Sequence, residues 1–340
     1  MRADFKGFAG LFRLQTEPQS FVNDFFECRA VSLPHFALEF GNYVVINYYR
    51  SFHTEDVNFA QVYCQKMKFT VLGSGSTGNA VLISAGKTKV LIDAGLSAKE
   101  IVRRCVEVGE DVAKLDAVLV THEHSDHAGG LRVLLKSLNC PVYMSGETLE
   151  AYLFEKRHVK PDEGVKRTDA IKGKVVEIQS SQDFRIGEIE FEPFSVPHDA
   201  ADNFGFVAKY CGIRLAAVTD FGQMTTLISQ KLRGCDAIII ESNHSLPMLR
   251  ACPIYSWDLK QRIASRTGHL SNEDLAVWLS AEFDGAARHI VLAHLSQKAN
   301  EPHLARLTAE QAIAMRSPLF KAETKITLTH HKEPTEWIEF

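Results

Sequence analysis

No two of the seven cysteines in this chain are spaced C-x-x-C. The odd count and scatter of Cys28, Cys64, Cys105, Cys140, Cys211, Cys235 and Cys252 argue against a disulfide framework and for reduced thiols in a cytoplasm. Long apolar runs are missing too: none approaches the roughly 18 residues needed to cross a bilayer, so no membrane partner is expected. The N-terminus lacks the basic, apolar, small-residue order of a secretory signal. Positive charge is not in excess, since 38 Lys and Arg face 42 Asp and Glu for a net charge of −4. A nucleic acid would therefore have to meet a local patch. There is no low-complexity segment or internal repeat. What remains is 340 residues, 45% hydrophobic and 24% charged, the profile of a soluble globular protein with a substantial core.

Composition breaks once. Residues 1–66 hold 14 of the 32 aromatics, in runs such as "NDFFE" and "INYYR", without a sustained period of 2 or 3.6. They read as an N-terminal extension of a domain that occupies 67–340. The extension is disordered, an upstream extension of the reading frame, or a small aromatic-rich accessory domain.

The domain opens with "FTVLGSGSTGNAVLISAGKTKVLIDAG", where Gly73, Gly75 and Gly78 spell G-x-G-x-x-G and Asp93 follows Gly73 by 20 residues. A dinucleotide site needs a helix directly after those glycines, because the helix N-terminus holds the pyrophosphate. Here two short branched runs flank the turn Ala85-Gly86-Lys87-Thr88, which predicts an antiparallel hairpin. No nucleotide cofactor is expected. "DFG" at 220–222 lacks its kinase companions H-R-D and A-P-E and is a coincidence.

Beyond the hairpin, short apolar strands alternate with amphipathic helices. Ala98 to Val108 and Leu131 to Leu138 predict helices, and Ser271 with Asp274 predicts a capping box opening a helix through Phe283. Hairpins mixed with helices indicate an α/β protein with much antiparallel pairing. Asp93, His122, His198, Asp220, Glu241 and His294 all stand at or just past the end of an apolar strand. Loops there are exposed yet held by a rigid sheet, the common setting for catalytic groups.

"THEHSDHAGG" packs His122, His124, Asp126 and His127 into six residues after a buried strand. Imidazoles with a carboxylate suit Zn²⁺ and also accommodate Mn²⁺. The bland alternative is a polar loop with chance histidines, which so dense a cluster makes improbable.

With "GSGSTGN", "LIDAG", "PHDA", "TDFG", "ESNH", "GHLSNED" and "LAHLS", this loop resembles the metallo-β-lactamase superfamily over nearly all of 67–340. Within it, "GSGSTGN" and "ESNH…GHLSN" are similar to the YycJ/WalJ-like group proposed as DNA exonucleases. The resemblance implies a four-layer αββα sandwich holding two divalent metal ions, Zn²⁺ or Mn²⁺, at the strand ends. His122, His124 and His198 would hold one, Asp126, His127 and His294 the other, with Asp220 bridging and Asp93 orienting a ligand histidine. Two cations a few Å apart bring the pKa of a shared water toward about 7, and Asp126 can orient it. His269, supported by Glu241, would protonate the leaving oxygen. His269 and His294 could exchange roles on motif order alone. His244 is either a phosphate contact or a hydrogen-bonded strand-end histidine, and Ser74 and Ser76 are further candidates for phosphate.

The metal site by itself suits many substrates. Two stretches lean toward DNA: seven Lys and Arg against three acids from Lys156 to Lys174, and Arg250, Lys260, Arg262 and Arg266 among Tyr255 and Trp257. A solvated charged helix with core aromatics would look the same. Ser245 stands where the resembling group usually has an acid, "PIYSWDLK" replaces a more common Tyr-Pro, and the large insertions of relatives that process tRNA or messenger RNA are missing. The expectation is a duplex-DNA exonuclease, with a small-molecule hydrolase (cyclic phosphodiester or thioester) as alternative and a non-catalytic metal-carrying regulator as a third reading.

Overall fold

The computed structural model describes residues 37–40, 43–46, 61–64, 66–154, 161–180, 182–316 and 323–340. The chain divides into a small unit, residues 1–63, and a large one, residues 64–340. In the small unit β1 (Ala37–Phe40) and β2 (Tyr43–Ile46) pair antiparallel, with Phe40 opposite Tyr43 across a two-residue connection. With β3 (Gln61–Cys64) they form a three-stranded sheet in the order β1-β2-β3. Most of 1–66 lies outside the described residues, and with it the question of whether that extension is disordered.

Two seven-stranded sheets make the large unit. β4 (Met67–Gly73), β5 (Ala80–Ala85) and β6 (Thr88–Ile92) form an antiparallel meander of branched and apolar residues. Ala85 pairs with Thr88, and Gly86 takes φ 57° in the tight turn between them. The hairpin expected after the glycine loop is therefore present, in place of the helix a dinucleotide site requires. α1 (Ala98–Glu107), capped by the Ser97 side chain on Glu100 N–H, leads to β7 (Ala117–Leu119), which pairs parallel to β6. Short helices α2 (Ser125–Ala128) and α3 (Leu131–Leu134) precede β8 (Val142–Met144). α4 (Gly146–Phe154) and α5 (Pro161–Ile171) precede β9 (Val175–Glu177), and β7, β8 and β9 run parallel.

The second sheet repeats this plan. β10 (Phe184–Ile186), β11 (Ile189–Ser195), β12 (Phe204–Tyr210) and β13 (Ile213–Val218) pair antiparallel in sequence order. α6 (Thr226–Leu232) then crosses to β14 (Ala237–Glu241). α7 (Leu246–Ala251), α8 (Trp257–Ile263) and α9 (Asn272–Ala281) lie between β14 and β15 (His289–Ala293). α10 (Pro302–Ala314) leads to β16 (Lys325–Leu328), and β13 to β16 are parallel. β17 (Ile338–Glu339) returns to pair with β4. α9 opens at Ser271, whose hydroxyl accepts Asp274 N–H at 3.0 Å, as expected; it stops at Ala281, two residues short of the expected end.

Three apolar clusters hold the layers. Phe69, Ile83 and Ile92 of the first sheet meet Phe191, Phe206 and Val291 of the second between the sheets. Ile101, Cys105 and Leu131 cover the outer face of the first sheet, and Ile228, Leu279 and Ala309 that of the second. The result is the αββα sandwich. Cys105, Cys140, Cys235 and Cys252 are buried free thiols. Cys211 is disulfide-bonded, a departure from the expectation of reduced thiols; its partner is not among the residues whose side chains are described. Among the described residues no helix is long and apolar enough to cross a membrane.

Phe191 is fully buried between the sheets and stacks on Phe184 at 5.6 Å. Phe191→Ala is expected to cost about 3–5 kcal/mol, read as a lower urea midpoint with unchanged slope.

Candidate metal centre

The parallel strands of both sheets end at one rim. Asp93 follows β6, and His122, His124, Asp126 and His127 follow β7. The second sheet brings His198 after β11, Asp220 after β13, Glu241 at the end of β14, His269 before α9 and His294 after β15. Asp93, Asp220 and His294 take positive φ of 64°, 59° and 54°. Left-handed backbone costs a residue with a side chain about 1–2 kcal/mol, and such strain collects at functional sites. Here it turns each side chain off its strand end into the gap between the sheets.

Three sets of donor atoms converge, each within 4.8 Å of one another: His122, His124 and His198; Asp126, His127, Asp220 and His294; and Asp220, Glu241, His269 and His294. Asp220 joins the neighbouring sets, with Oδ2 2.9 Å from His127 Nε2 and Oδ1 3.9 Å from His198 Nε2. The first set is all imidazole. Burial holds His122 well below its ordinary pKa, brings His124 down to about 4 and lowers His198. These rings are therefore neutral near pH 7, the form in which an imidazole binds a cation. In the second set burial pulls His127 and His294 down, but the Asp220 carboxylate with its neighbours outweighs it and raises both.

The donor chemistry fits a divalent metal. His122 Nε2 is buried without a hydrogen-bond partner, a cost of about 1–3 kcal/mol that a cation would relieve, and His294 Nε2 has only the Asp126 carboxylate, 3.4 Å away. The opposite nitrogens are already oriented. His127 Nδ1–H donates to Asp93 Oδ2 at 2.7 Å, and His198 Nδ1 meets the Gly268 carbonyl at 3.2 Å. Such partners set the tautomer of a ligand histidine. Asp93 also accepts Thr121 N–H at 2.8 Å, and the Thr121 hydroxyl lies 3.0 Å from His122 Nδ1.

Glu241 is wholly buried. Its Oε1 lies 2.9 Å from His269 Nδ1 and 2.7 Å from His294 Nδ1, while Oε2 accepts Phe221 N–H at 3.0 Å and Leu270 N–H at 3.2 Å. Burial raises its pKa, but the two histidines outweigh it and bring it to about 2. Glu241 thus braces both histidines whose roles motif order left open. Both line an open cleft, but exposure separates them: the His269 side chain is 23% exposed and that of His294 3%.

That cleft, about 250 Å³, is lined by Ser76, Asp126, Asn243, Tyr255, Arg262 and His269 among others. Of the candidate phosphate contacts, Ser76 is on it. Ser74 is buried and already engaged: its hydroxyl donates to Asn79 Oδ1 at 3.0 Å and accepts His294 N–H at 2.8 Å. His244 is 1% exposed, is not among the lining residues, and its Nδ1 lies 3.3 Å from Asn243 Oδ1. Its Nε2 is buried without a hydrogen-bond partner. The basic stretch from 156 fares similarly. Lys156, Arg157 and Lys160 lie outside the described residues. Arg167 donates to the Tyr152 carbonyl at 2.7 Å, Lys174 to those of Leu135 and Leu138 at 2.8 and 2.7 Å, and Lys166 pairs with Asp162. None of the described residues in this stretch lines the cleft.

Sequence reasoning did not find Asn79. Its Oδ1 accepts the Ser74 hydroxyl and Gly75 N–H, its Nδ2 reaches Asp126 O at 3.2 Å and His127 Nε2 at 2.9 Å, and its N–H meets Asp126 O at 2.7 Å. The glycines allow this approach. A Cβ on Gly95 would lie 1.6 Å from the Asp126 carbonyl oxygen, and one on Gly78, already at φ 144°, 2.6 Å from Leu96 N. The signal was the asparagine closing "GSGSTGN".

A beta-lactamase superfamily domain matches residues 88–295, and the chain belongs to that family, whose fold and His/Asp cluster here are those of a metal-dependent hydrolase. It is 34% identical over 247 residues to exodeoxyribonuclease YycJ of Bacillus anthracis, covering 73% of this chain and 89% of that one. The same identity and length relate it to exodeoxyribonuclease WalJ of Streptococcus pneumoniae, covering 88% of the relative. In fold it is similar to the metallo-beta-lactamase fold protein YhfI of Bacillus subtilis, with TM-score 0.58, 17% identity and coverage of 81% and 100%.

Asp93→Asn keeps the volume but removes the charge that orients His127. Zinc affinity, measured by competition with a chromogenic chelator, is expected to fall about 10- to 100-fold while the melting profile of the metal-free protein changes little.

Proposed function

We propose that residues 67–340 form a two-metal phosphodiesterase acting as a 5′–3′ exonuclease on duplex DNA. The observation that carries this is the pair of donor sets joined through Asp220, with the Glu241-braced His269 at the edge of the same cleft. His122, His124 and His198 would hold one divalent cation; Asp126, His127 and His294 a second, with Asp220 between them. Cations so held supply Lewis acidity, bringing a water toward a pKa of about 7 and neutralising phosphate charge.

The chain's own residues do the rest. Asp126, on the cleft wall, accepts a hydrogen bond from the attacking water and orients it toward phosphorus. His269 keeps Nδ1–H on Glu241, so Nε2 is the nitrogen that gives its proton to the leaving oxygen. Burial lowers the pKa of His269, but Glu241 outweighs it and raises it, so the ring stays protonated nearer neutral pH than an isolated histidine would. The similarity to two exodeoxyribonucleases over most of their length supports DNA as substrate. A cleft of about 250 Å³ suits one nucleotide at a strand end, and equally a small phosphodiester, which keeps the small-molecule hydrolase as the second reading.

End-labelled, 5′-phosphorylated linear duplex with Mn²⁺ separates the two. Wild type is expected to release mononucleotides and Asp126→Ala none; cleavage of bis-p-nitrophenyl phosphate without DNA decay would move the substrate to small diesters. His269→Ala is expected to lower kcat about 10²- to 10⁴-fold with metal content unchanged and to remove the high-pH fall of the rate profile.

A further inference from the structure

We propose that Arg262 is the phosphate-binding residue of the cleft, gripping non-bridging oxygens of the substrate phosphodiester with its two terminal amino groups while Asp199 holds its Nε. This deepens the phosphodiesterase reading above and rests on it. α8 buries none of its residues, yet Leu259, Arg262 and Ile263 line the cleft beside His124, His198 and His269. The lining includes the carboxylates Asp126, Asp199 and Asp220, and Arg262 is its one Lys or Arg among the described residues. An anionic substrate thus meets a single side chain of permanent positive charge. The other cation of α8, Lys260, turns to the Arg250 carbonyl at 2.8 Å.

The guanidinium is aimed, not loose. Arg262 Nε–H donates to Asp199 Oδ2, its side chain is 60% exposed, and its terminal nitrogens have no partner among the described residues. Asp199 directly follows His198, and its N–H donates to the Thr267 carbonyl at 3.0 Å. His198 Nδ1 meets the Gly268 carbonyl, and His269 N–H donates to the Ile263 carbonyl at 2.9 Å. A Cβ on Gly268 would lie 2.2 Å from the Arg262 carbonyl oxygen, so the turn closes only with glycine there. One tight segment therefore fixes Arg262 and His269 relative to each other and to His198. With Nε engaged, the remaining planar pair of amino groups matches two phosphate oxygens.

The test compares wild type, Arg262→Gln and Arg262→Lys as zinc-loaded, full-length protein. Fluorescence anisotropy with a 5′-phosphorylated duplex ending in hydrolysis-resistant phosphorothioates reads affinity across a salt series. Arg262→Gln is expected to bind roughly 10- to 100-fold more weakly, with a salt slope shallower by about one and zinc content unchanged; Arg262→Lys should regain part of both. Unchanged affinity and slope in Arg262→Gln, with wild type degrading DNA, would overturn the assignment and leave the exonuclease reading intact. Loss of zinc together with binding would also overturn it, making Arg262 a prop for His198 through Asp199. If wild type cleaves only bis-p-nitrophenyl phosphate, a KM for that diester raised by Arg262→Gln supports the assignment and an unchanged one overturns it. Wild type cleaving neither diester overturns both, and that failure shows before any variant is compared.

Discussion

A carboxylate buried at the end of β14 organises the rim. Glu241 accepts four hydrogen bonds, from the peptide after Asp220, the peptide after His269, and the rings of His269 and His294. A buried carboxylate is costly unless its oxygens are met by donors. That requirement forces the loops after β13, before α9 and after β15 to close on a single point. Metal donors and the proposed acid are brought together as a consequence. On the facing sheet Asp93 does the same work, joining His127 directly and His122 through the Thr121 hydroxyl.

The near-repeated plan of the two sheets explains why the site lies where it does. Each sheet runs through three antiparallel pairings and then three parallel ones, so the parallel strands of both finish at the same rim. The apolar layer between them makes the sheets a rigid pair of walls. The left-handed turns at Asp93, Asp220 and His294 are held by bonds from the rim itself, such as Asp93 N–H to the Leu119 carbonyl at 2.8 Å and His294 N–H to the Ser74 hydroxyl. Rigid walls with strained, cross-braced exits suit a centre that must keep several buried charges in place.

Legibility followed distance along the chain. "THEHSDHAGG" could be read as a metal loop because its four candidate donors fall within six residues, and the capping box at Ser271 because a cap is a local bond. Ser74 stood as a candidate phosphate contact, and local order gave no sign that its hydroxyl also accepts the N–H of His294, 220 residues away. Asn79 was passed over for the same reason, since its contacts to Asp126 and His127 span 47 and 48 residues. The basic stretch drew weight from its count alone, whereas Arg167 and Lys174 point their charges at backbone carbonyls that only folding brings near.

By itself the amino-acid order determined the elements, the sandwich they form and the candidate metal donors that converge at its rim, because strand pattern, turn chemistry and clustered histidines are properties of short segments. Only the tertiary structure decided which of the two Glu241-bound histidines is the more exposed, which serines and basic residues are already engaged, and which cation among the described residues lines the cleft. Those are matters of burial and of hydrogen bonds between distant segments, and no local pattern encodes them.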